Sequence, residues 1–342
     1  MKNTITSILS LLIMLSAGIS ALAQTDSTDI NTADLVRKKS GVLVIGEGPT
    51  MRGCNPFHYS TEKLENYAAL VNDYQAAFPD VQVYFQAIPT AVEFYLPESS
   101  RHLVNSQRDA IDILFAALNE KVKTVDSYPA LLAHTDEHIY SRTDHHWAPL
   151  GAFYAAEQLA KVAGVPFRQL DAYTPHTIHN YVGTMLKFSN MPEFKNASED
   201  FVYYTPAETE IRATLVHYSL DKTRKRVISE TEPAEESFFR EYKDGSGAAY
   251  LTFMGGDTKL TKVRTEVNNG RRVLLMKDSF GNALSSFLFY SFEEVHLIDC
   301  RYFTQNVAEY VRQNGITDIV FCNNIAHTSP ETVNMYRKYL VQ

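Results

Sequence analysis

Cysteine is scarce in this chain of 342 residues: Cys54, Cys300 and Cys322 are all it has. An odd number that small builds no disulfide framework, and without a CxxC pair there is no thiolate-rich metal centre. Cys300 and Cys322 fall at the ends of expected strands, so a bridge between them and free buried thiols are both open. Positive charge is also short. Lys and Arg number 32 against 40 Asp and Glu, a net charge of -8 with no long basic run, which argues against a nucleic-acid partner. Long apolar runs are missing after residue 23, so the remainder is not expected to be membrane-embedded. No repeat and no long low-complexity segment is visible.

The first residues read as a signal peptide. Lys2 is a basic start, Ile5 to Leu15 is an apolar run, and Ala21-Leu22-Ala23 is an A-x-A cleavage pattern. No Cys follows the cleavage point to carry a lipid. As a membrane anchor, the alternative use, the run falls short of the roughly 20 residues a span needs. The expectation is therefore an exported protein, periplasmic or extracellular. Residues 1–23 are the leader and residues 24–342 one α/β domain.

Within that domain, residues 24–40 read as a loose polar leader. Gly41 to Gly46 reads as a buried strand, Thr61 to Phe78 as a helix, and Val81 to Ala87 as a strand. A helix capped by Ser106 runs to Lys121, and another starts at Pro149 and stops at Gly164. This alternation predicts a parallel sheet. From about 177 to 245 the pattern becomes polar with short alternating stretches, an expected β-rich insertion. Strands at 249–254, 272–276, 294–299 and 317–322 then follow, with helices between them and one at the end.

Sites in open α/β sheets form at the carboxyl ends of strands. Ser279, Arg301 and the pair Asn323-Asn324 all occupy such ends. Ser279 precedes a helix, where its own N–H could bind a developing oxyanion; serving as that helix's N-cap is the competing use. Asp144 and His146 stand two apart in a loop. That spacing lets the carboxylate take the imidazole Nδ1–H and leave Nε2 as a general base. His145 is expected to point the other way as a structural residue, and Trp147, the one tryptophan, to pack. The same loop also offers metal ligands in His134, His138, Asp144, His145 and His146, so a metal-dependent hydrolase is a rival reading. Tyr is abundant, at 20 residues, which suits carbohydrate surfaces and cores alike.

The stretch Ser141-Arg-Thr-Asp144-His145-His146-Trp147-Ala-Pro149 resembles the signature of the DHHW family of bacterial exported proteins. So do Phe253-Met-Gly-Gly-Asp257, Lys277-Asp278-Ser279-Phe280 and Asp299-Cys-Arg301-Tyr302-Phe303. That family is similar to the SGNH-hydrolase-like domains of alginate O-acetylation proteins. The resemblance implies a three-layer α/β/α fold with Ser279 as nucleophile, His146 as base and Asp144 as its orienter. Arg301, Tyr302 and Asn323 or Asn324 would face the oxyanion or the substrate. Cys322 stands where the SGNH asparagine block has glycine. The implied activity is a carbohydrate O-acetylesterase or O-acetyltransferase acting on a polysaccharide, with no cofactor and, for transfer, an acyl-donor protein in the membrane. A non-catalytic exopolysaccharide-binding or assembly protein is the alternative.

Overall fold

A computed structural model describes residues 35–223 and 226–341, so the expected leader, residues 1–23, lies outside the described residues. In chain order the strands are β1 (Val36–Lys39), β2 (Val42–Ile45), β3 (Arg52–Cys54), β4 (Gln82–Phe85), β5 (Lys123–Thr124), β6 (Tyr173–Tyr181), β7 (Glu199–Pro206), β8 (Arg212–Val216), β9 (Tyr218–Leu220), β10 (Val227–Glu230), β11 (Ala234–Ser237), β12 (Leu260–Arg264), β13 (Arg272–Lys277), β14 (Glu294–Asp299) and β15 (Asp318–Cys322). The helices are α1 (Thr61–Ala77), α2 (Ala91–Tyr95), α3 (Gln107–Ala117), α4 (Tyr128–Ala133), α5 (Pro149–Ala163), α6 (Met185–Ser189), α7 (Phe280–Ser286), α8 (Val307–Asn314) and α9 (Pro330–Val341).

Eight strands make the central sheet, in the order β11-β8-β12-β14-β13-β15-β4-β5. The run from β14 to β5 is parallel. Helices α1, α3, α8 and α9 pack together, as do α4, α5 and α7, giving helical layers on either side of the sheet. The apolar runs of β13, β14 and β15 are buried almost throughout, as expected for strands covered on both faces. The helix ends follow their sequence signals. Ser60, Ser106 and Asn306 each accept a backbone N–H of the first turn of α1, α3 and α8. Pro149 opens α5, and Gly164, in the left-handed region at φ 67°, closes it.

Several expectations are corrected. The sheet is mixed, because β12, β8 and β11 join antiparallel, without a crossover helix. The buried strand at residues 42–45 is not in this sheet, and part of the supposed loose leader is a strand. Ser40 and Gly41 both have positive φ (50° and 84°) and turn β1 back onto β2; with β3 these form a separate antiparallel sheet. The apolar stretch at 249–254 opens as a 3-10 turn over Ala249–Thr252, not as a strand. Strand β12, which sequence reasoning missed, takes the sheet position beside β14.

All three cysteines are free and buried. Cys300 follows β14 and Cys322 ends β15, with β13 hydrogen-bonded between those strands. Two strand spacings are about 10 Å, too far for a disulfide. Burial pushes the Cys54 thiol up to about 11 despite Arg52, and raises Cys300 and Cys322 further. We therefore expect Ellman's reagent to find no reactive thiol in the native protein. Denaturation without reductant should then release all three. Fewer than three after unfolding would reveal a bridge and refute the arrangement.

Candidate active site

Three neighbouring strands, β14, β13 and β15, present their carboxyl ends side by side, and the loop at 141–147 lies over them. Ser279 follows β13 and stands at the head of α7, but its hydroxyl makes no capping bond. Instead Ser279 Oγ lies 2.8 Å from His146 Nε2. His146 Nδ1 lies 2.6 Å from Asp144 Oδ1, which also accepts the His146 N–H at 3.0 Å. The Asp-x-His spacing thus closes a small ring in which one carboxylate oxygen holds both backbone and side chain of the histidine. That arrangement sets the imidazole with Nδ1 as donor and Nε2 turned to the serine.

The second Asp144 oxygen accepts from the Thr184 N–H and hydroxyl, both at 2.8 Å. Burial pushes the Asp144 carboxyl up, but the adjacent His146, His145 and the Thr184 N–H outweigh it and hold the group well below the usual carboxylate range. Gly183 is required here, because a Cβ would lie 2.4 Å from Asp144 Oδ2 and 2.6 Å from Tyr181 Oη. One face of His146 stacks on buried Tyr250, with ring centres 3.7 Å apart and planes 4° from parallel. Tyr250 Oη donates to the Ser279 carbonyl at 3.0 Å, and Trp147 Nε1 to the Phe280 carbonyl at 3.2 Å. Base and nucleophile are therefore tied through the backbone of the helix head as well as directly.

The loop carrying Asp144 is irregular and buried, so its polar groups need partners. Glu199, from the start of β7, supplies them. Its Oε1 accepts from Ser141 Oγ (2.5 Å), Thr143 N (2.8 Å) and Thr143 Oγ1 (2.7 Å), while Oε2 accepts from Arg142 N (2.9 Å) and meets His138 Nε2 at 2.9 Å. Burial raises the Glu199 carboxyl, but the bonds to His138, Arg142 and Ser141 bring it down to about 2.

Arg301 does not stand free. Its Nε donates to Asp299 Oδ1 and its Nη2 to Asp257 Oδ2, both at 2.9 Å. Fully buried Lys277 reaches Asp257 (3.2 Å) and Asp299 (3.6 Å), and Asn282 Nδ2 donates to Asp257 at 3.0 Å. Burial would lower Arg301, but the two carboxylates more than reverse this. The three sequence blocks around Asp257, Lys277 and Asp299-x-Arg301 therefore meet in one buried ion network beside the helix that Ser279 heads. Tyr302 stacks on Tyr218 at 4.1 Å, with the Arg301 guanidinium 5.0 Å from its ring centre.

Asn323 also turns inward. In the amide orientation that satisfies every partner, its nitrogen donates to Tyr67 Oη (2.8 Å) and its oxygen accepts the Asp278 N–H (2.9 Å). Asn324 stays on the rim, with Nδ2 donating to Asp278 Oδ2 at 2.6 Å. His327 Nδ1 shares that oxygen at 2.8 Å, so burial, which would lower His327, is outweighed and it sits above its ordinary value. Phe280 N–H donates to Asp278 Oδ1 at 2.9 Å. This leaves the Ser279 N–H as the candidate oxyanion donor at the helix head.

His145 does not point away as expected. Its Nδ1 meets Thr184 Oγ1 at 2.7 Å and its ring lies 3.7 Å from that of His146. Burial and the His146 charge lower it to about 4. His134 pairs with Glu137 (2.6 Å) and His138 with Glu199, so neither joins the loop's other histidines. Donor atoms of Asp144, His145 and His146 lie within 4.8 Å of one another, the one such group found among the described residues. Both ring nitrogens of His146 are already engaged, Nδ1 with Asp144 and Nε2 with Ser279, so a metal held there by His146 would compete with the serine-to-carboxylate chain. A cleft of about 60 Å³, bordered by Gly53, Asn55, Thr90, His145, Phe280 and Asn324, opens beside this chain.

Glu199, Thr184, Gly183 and Tyr250 were not anticipated. They come from segments without periodic pattern, and a carboxylate that accepts from a distant loop leaves no local spacing to read.

The profile described as DHHW protein matches residues 24–298. Among solved structures, a DHHW family protein from Eubacterium siraeum is similar over 90% of this chain and 98% of its own, with 35% identity and a TM-score of 0.79. Bacillus cereus PatB1, in a structure with a sulfonyl adduct, is similar at 17% identity and a TM-score of 0.64, over 88% of this chain and 98% of its own. At that identity the likeness is one of fold. No curated protein matches.

Glu199 generates a test that needs no substrate. Its carboxyl falls from the ordinary 4.5 to about 2 on folding, so its contribution is present in full above 4.5 and is lost as pH falls through about 2. The shift corresponds to about 3 kcal/mol. We expect Glu199→Gln to melt at lower temperature at pH 7 and to show a flatter decline in melting temperature between pH 5 and 2 than the wild type. Coincident melting curves across that range would remove Glu199 as the loop's anchor.

Proposed function

This chain belongs to the DHHW family, and from that premise and the site's geometry we propose that it is an exported serine acyl-transfer enzyme acting on O-acetyl groups of a polysaccharide. The observation that carries this reading is the unbroken chain from Ser279 Oγ through His146 to Asp144, at 2.8 and 2.6 Å. The fold shared with PatB1, whose structure carries a sulfonyl adduct, supports it. So does the absence of a capping role for the serine hydroxyl. No helix among the described residues is long and apolar enough to cross a membrane.

Ser279 Oγ attacks the ester carbonyl while His146 Nε2 takes its proton. The tetrahedral oxyanion develops beside the Ser279 N–H. As the carbon–oxygen bond to the sugar breaks, His146 returns the proton to the leaving alkoxide, and the acetyl group stays on Ser279. Asp144, already ionised, stabilises the imidazolium that forms in between. In the second half His146 deprotonates the acceptor. Water as acceptor gives an esterase; in an O-acetyltransferase the first half would instead break the acyl bond of a donor held by a membrane partner, the donor leaving protonated by His146, and a polysaccharide hydroxyl would then take the acetyl group from Ser279. Arg301, neutralised by two carboxylates, serves to hold the strand ends in place and not to bind the substrate's charge.

The experiment is hydrolysis of p-nitrophenyl acetate by residues 24–342, beside Ser279→Ala and His146→Ala, with and without chelator. Each substitution should cost at least about a hundredfold in kcat, and chelator should cost nothing. A sulfonyl fluoride should add one adduct at Ser279 by mass spectrometry and none to Ser279→Ala. Turnover indifferent to Ser279→Ala defeats the serine mechanism, and turnover lost to chelator defeats it in favour of a metal. No turnover and no adduct would leave a glycan-binding protein.

A further inference from the structure

Four rings form a row from the core to the solvent at the candidate nucleophile. Buried Tyr250 stacks on His146 at 3.7 Å, His146 lies 3.7 Å from His145, and His145 lies 5.3 Å from Phe188. Phe188 is the open end, with 40% of its surface exposed. It is not a loose surface residue. Its short helix, α6, is fastened to the site loop by the Met185 N–H to the Thr143 carbonyl (2.9 Å). The preceding Thr184 bonds both Asp144 and His145. A singly exposed apolar ring is ordinary on a protein surface; what sets Phe188 apart is that it ends a row of rings that leads to the candidate nucleophile.

The cleft beside the row identifies the contact. At about 60 Å³ it is well below the several hundred cubic ångströms of sites that enclose whole ligands. It has room for a small acyl group but none for a sugar. Its walls include Asp144, His145 and Phe280 beside the candidate nucleophile but neither Ser279 nor His146, so a sugar ester reacting at Ser279 lies across the rim and not inside it. Met185 lines the cleft and Phe188 follows it one turn later on α6. A pyranose has a face of C–H bonds that lies flat on an aromatic ring while its hydroxyls point to water and to neighbouring polar groups. His145 and Asn324, both on the cleft, are such groups.

We propose that Phe188, backed by His145, is the stacking platform for the sugar that carries or receives the acyl group. The proposal rests on the acyl-transfer reading above and adds to it the residue that selects a glycan over a simple ester.

Wild type, Phe188→Ala and Phe188→Trp are compared on acetylated xylo-, manno- and chito-oligosaccharides and on p-nitrophenyl acetate. For at least one glycan, the ratio of kcat/KM on glycan to that on p-nitrophenyl acetate should fall about tenfold in Phe188→Ala, and Phe188→Trp should restore it. An unchanged ratio for every glycan overturns the platform. So does an equal loss on all substrates, which would mean that the residue merely supports the fold. If wild type turns over no ester at all, the acyl-transfer reading fails, and the platform is judged by retardation in native gels containing the parent polysaccharides. Retardation lost in Phe188→Ala and kept in Phe188→Trp upholds it. A wild type that no glycan retards and that deacetylates none of them overturns it.

Discussion

The site depends on one buried carboxylate that does no chemistry. Glu199 accepts from the two backbone N–H groups and two hydroxyls of residues 141–143 and meets His138 as well. Without it those donors would be buried with nothing to bind, at a cost of about 1–3 kcal/mol each. The loop would then have no reason to keep the one conformation that brings Asp144 and His146 over β13. Because Glu199 begins β7, the segment that looks like an insertion is also the floor of the loop that carries Asp144 and His146. Glu199 thus joins the polar hairpin β6–β7 to the loop above the parallel half of the sheet, alongside the packing of Tyr173 and Tyr204 on Phe287.

A second constraint lies on the other side of Ser279. Lys277, Asp257, Asp299 and Arg301 neutralise one another at the ends of β13 and β14. Burying any one of them alone would be prohibitive, but as a set they are hydrogen-bonded and paired. Motif residues from three separate stretches of sequence are thus bound to each other and not to a ligand. Charged positions near a candidate nucleophile are easily read as substrate contacts, and here each already has a partner of opposite charge.

Much of this was legible beforehand, for physical reasons that can be named. Ser279, Asp144 and His146, which the structure brings into contact, stand out in the sequence because a strand end, a helix start and a two-residue spacing are local features. Helices α1, α3, α5, α8 and α9 were legible from their periodicity and caps. Residues 42–45 were read as a strand correctly but given the wrong partner, since apolarity says that a strand is buried and not which strand lies beside it. The Ser40-Gly41 turn, with both residues at positive φ, decided that. Residues 249–254 show the same ambiguity. A short apolar run is buried either way, and here the chain curls so that Tyr250 can lie flat on His146. Asn323 and Arg301 were placed at the right strand ends, but a strand end fixes a position and not the direction in which a side chain turns.

The two margins of the central sheet have a bearing on how the protein fares at high concentration. One margin, β5, is two residues long; the other, β11, reads Ala-Glu-Glu-Ser and is largely open to water. An unpaired strand edge is a template on which another chain can extend the ladder. A rung of two residues is too short to template anything, and adjacent glutamates would meet their own kind in any antiparallel self-pairing. Both routes to edge-to-edge aggregation are therefore discouraged by the lengths and charges of these outermost strands.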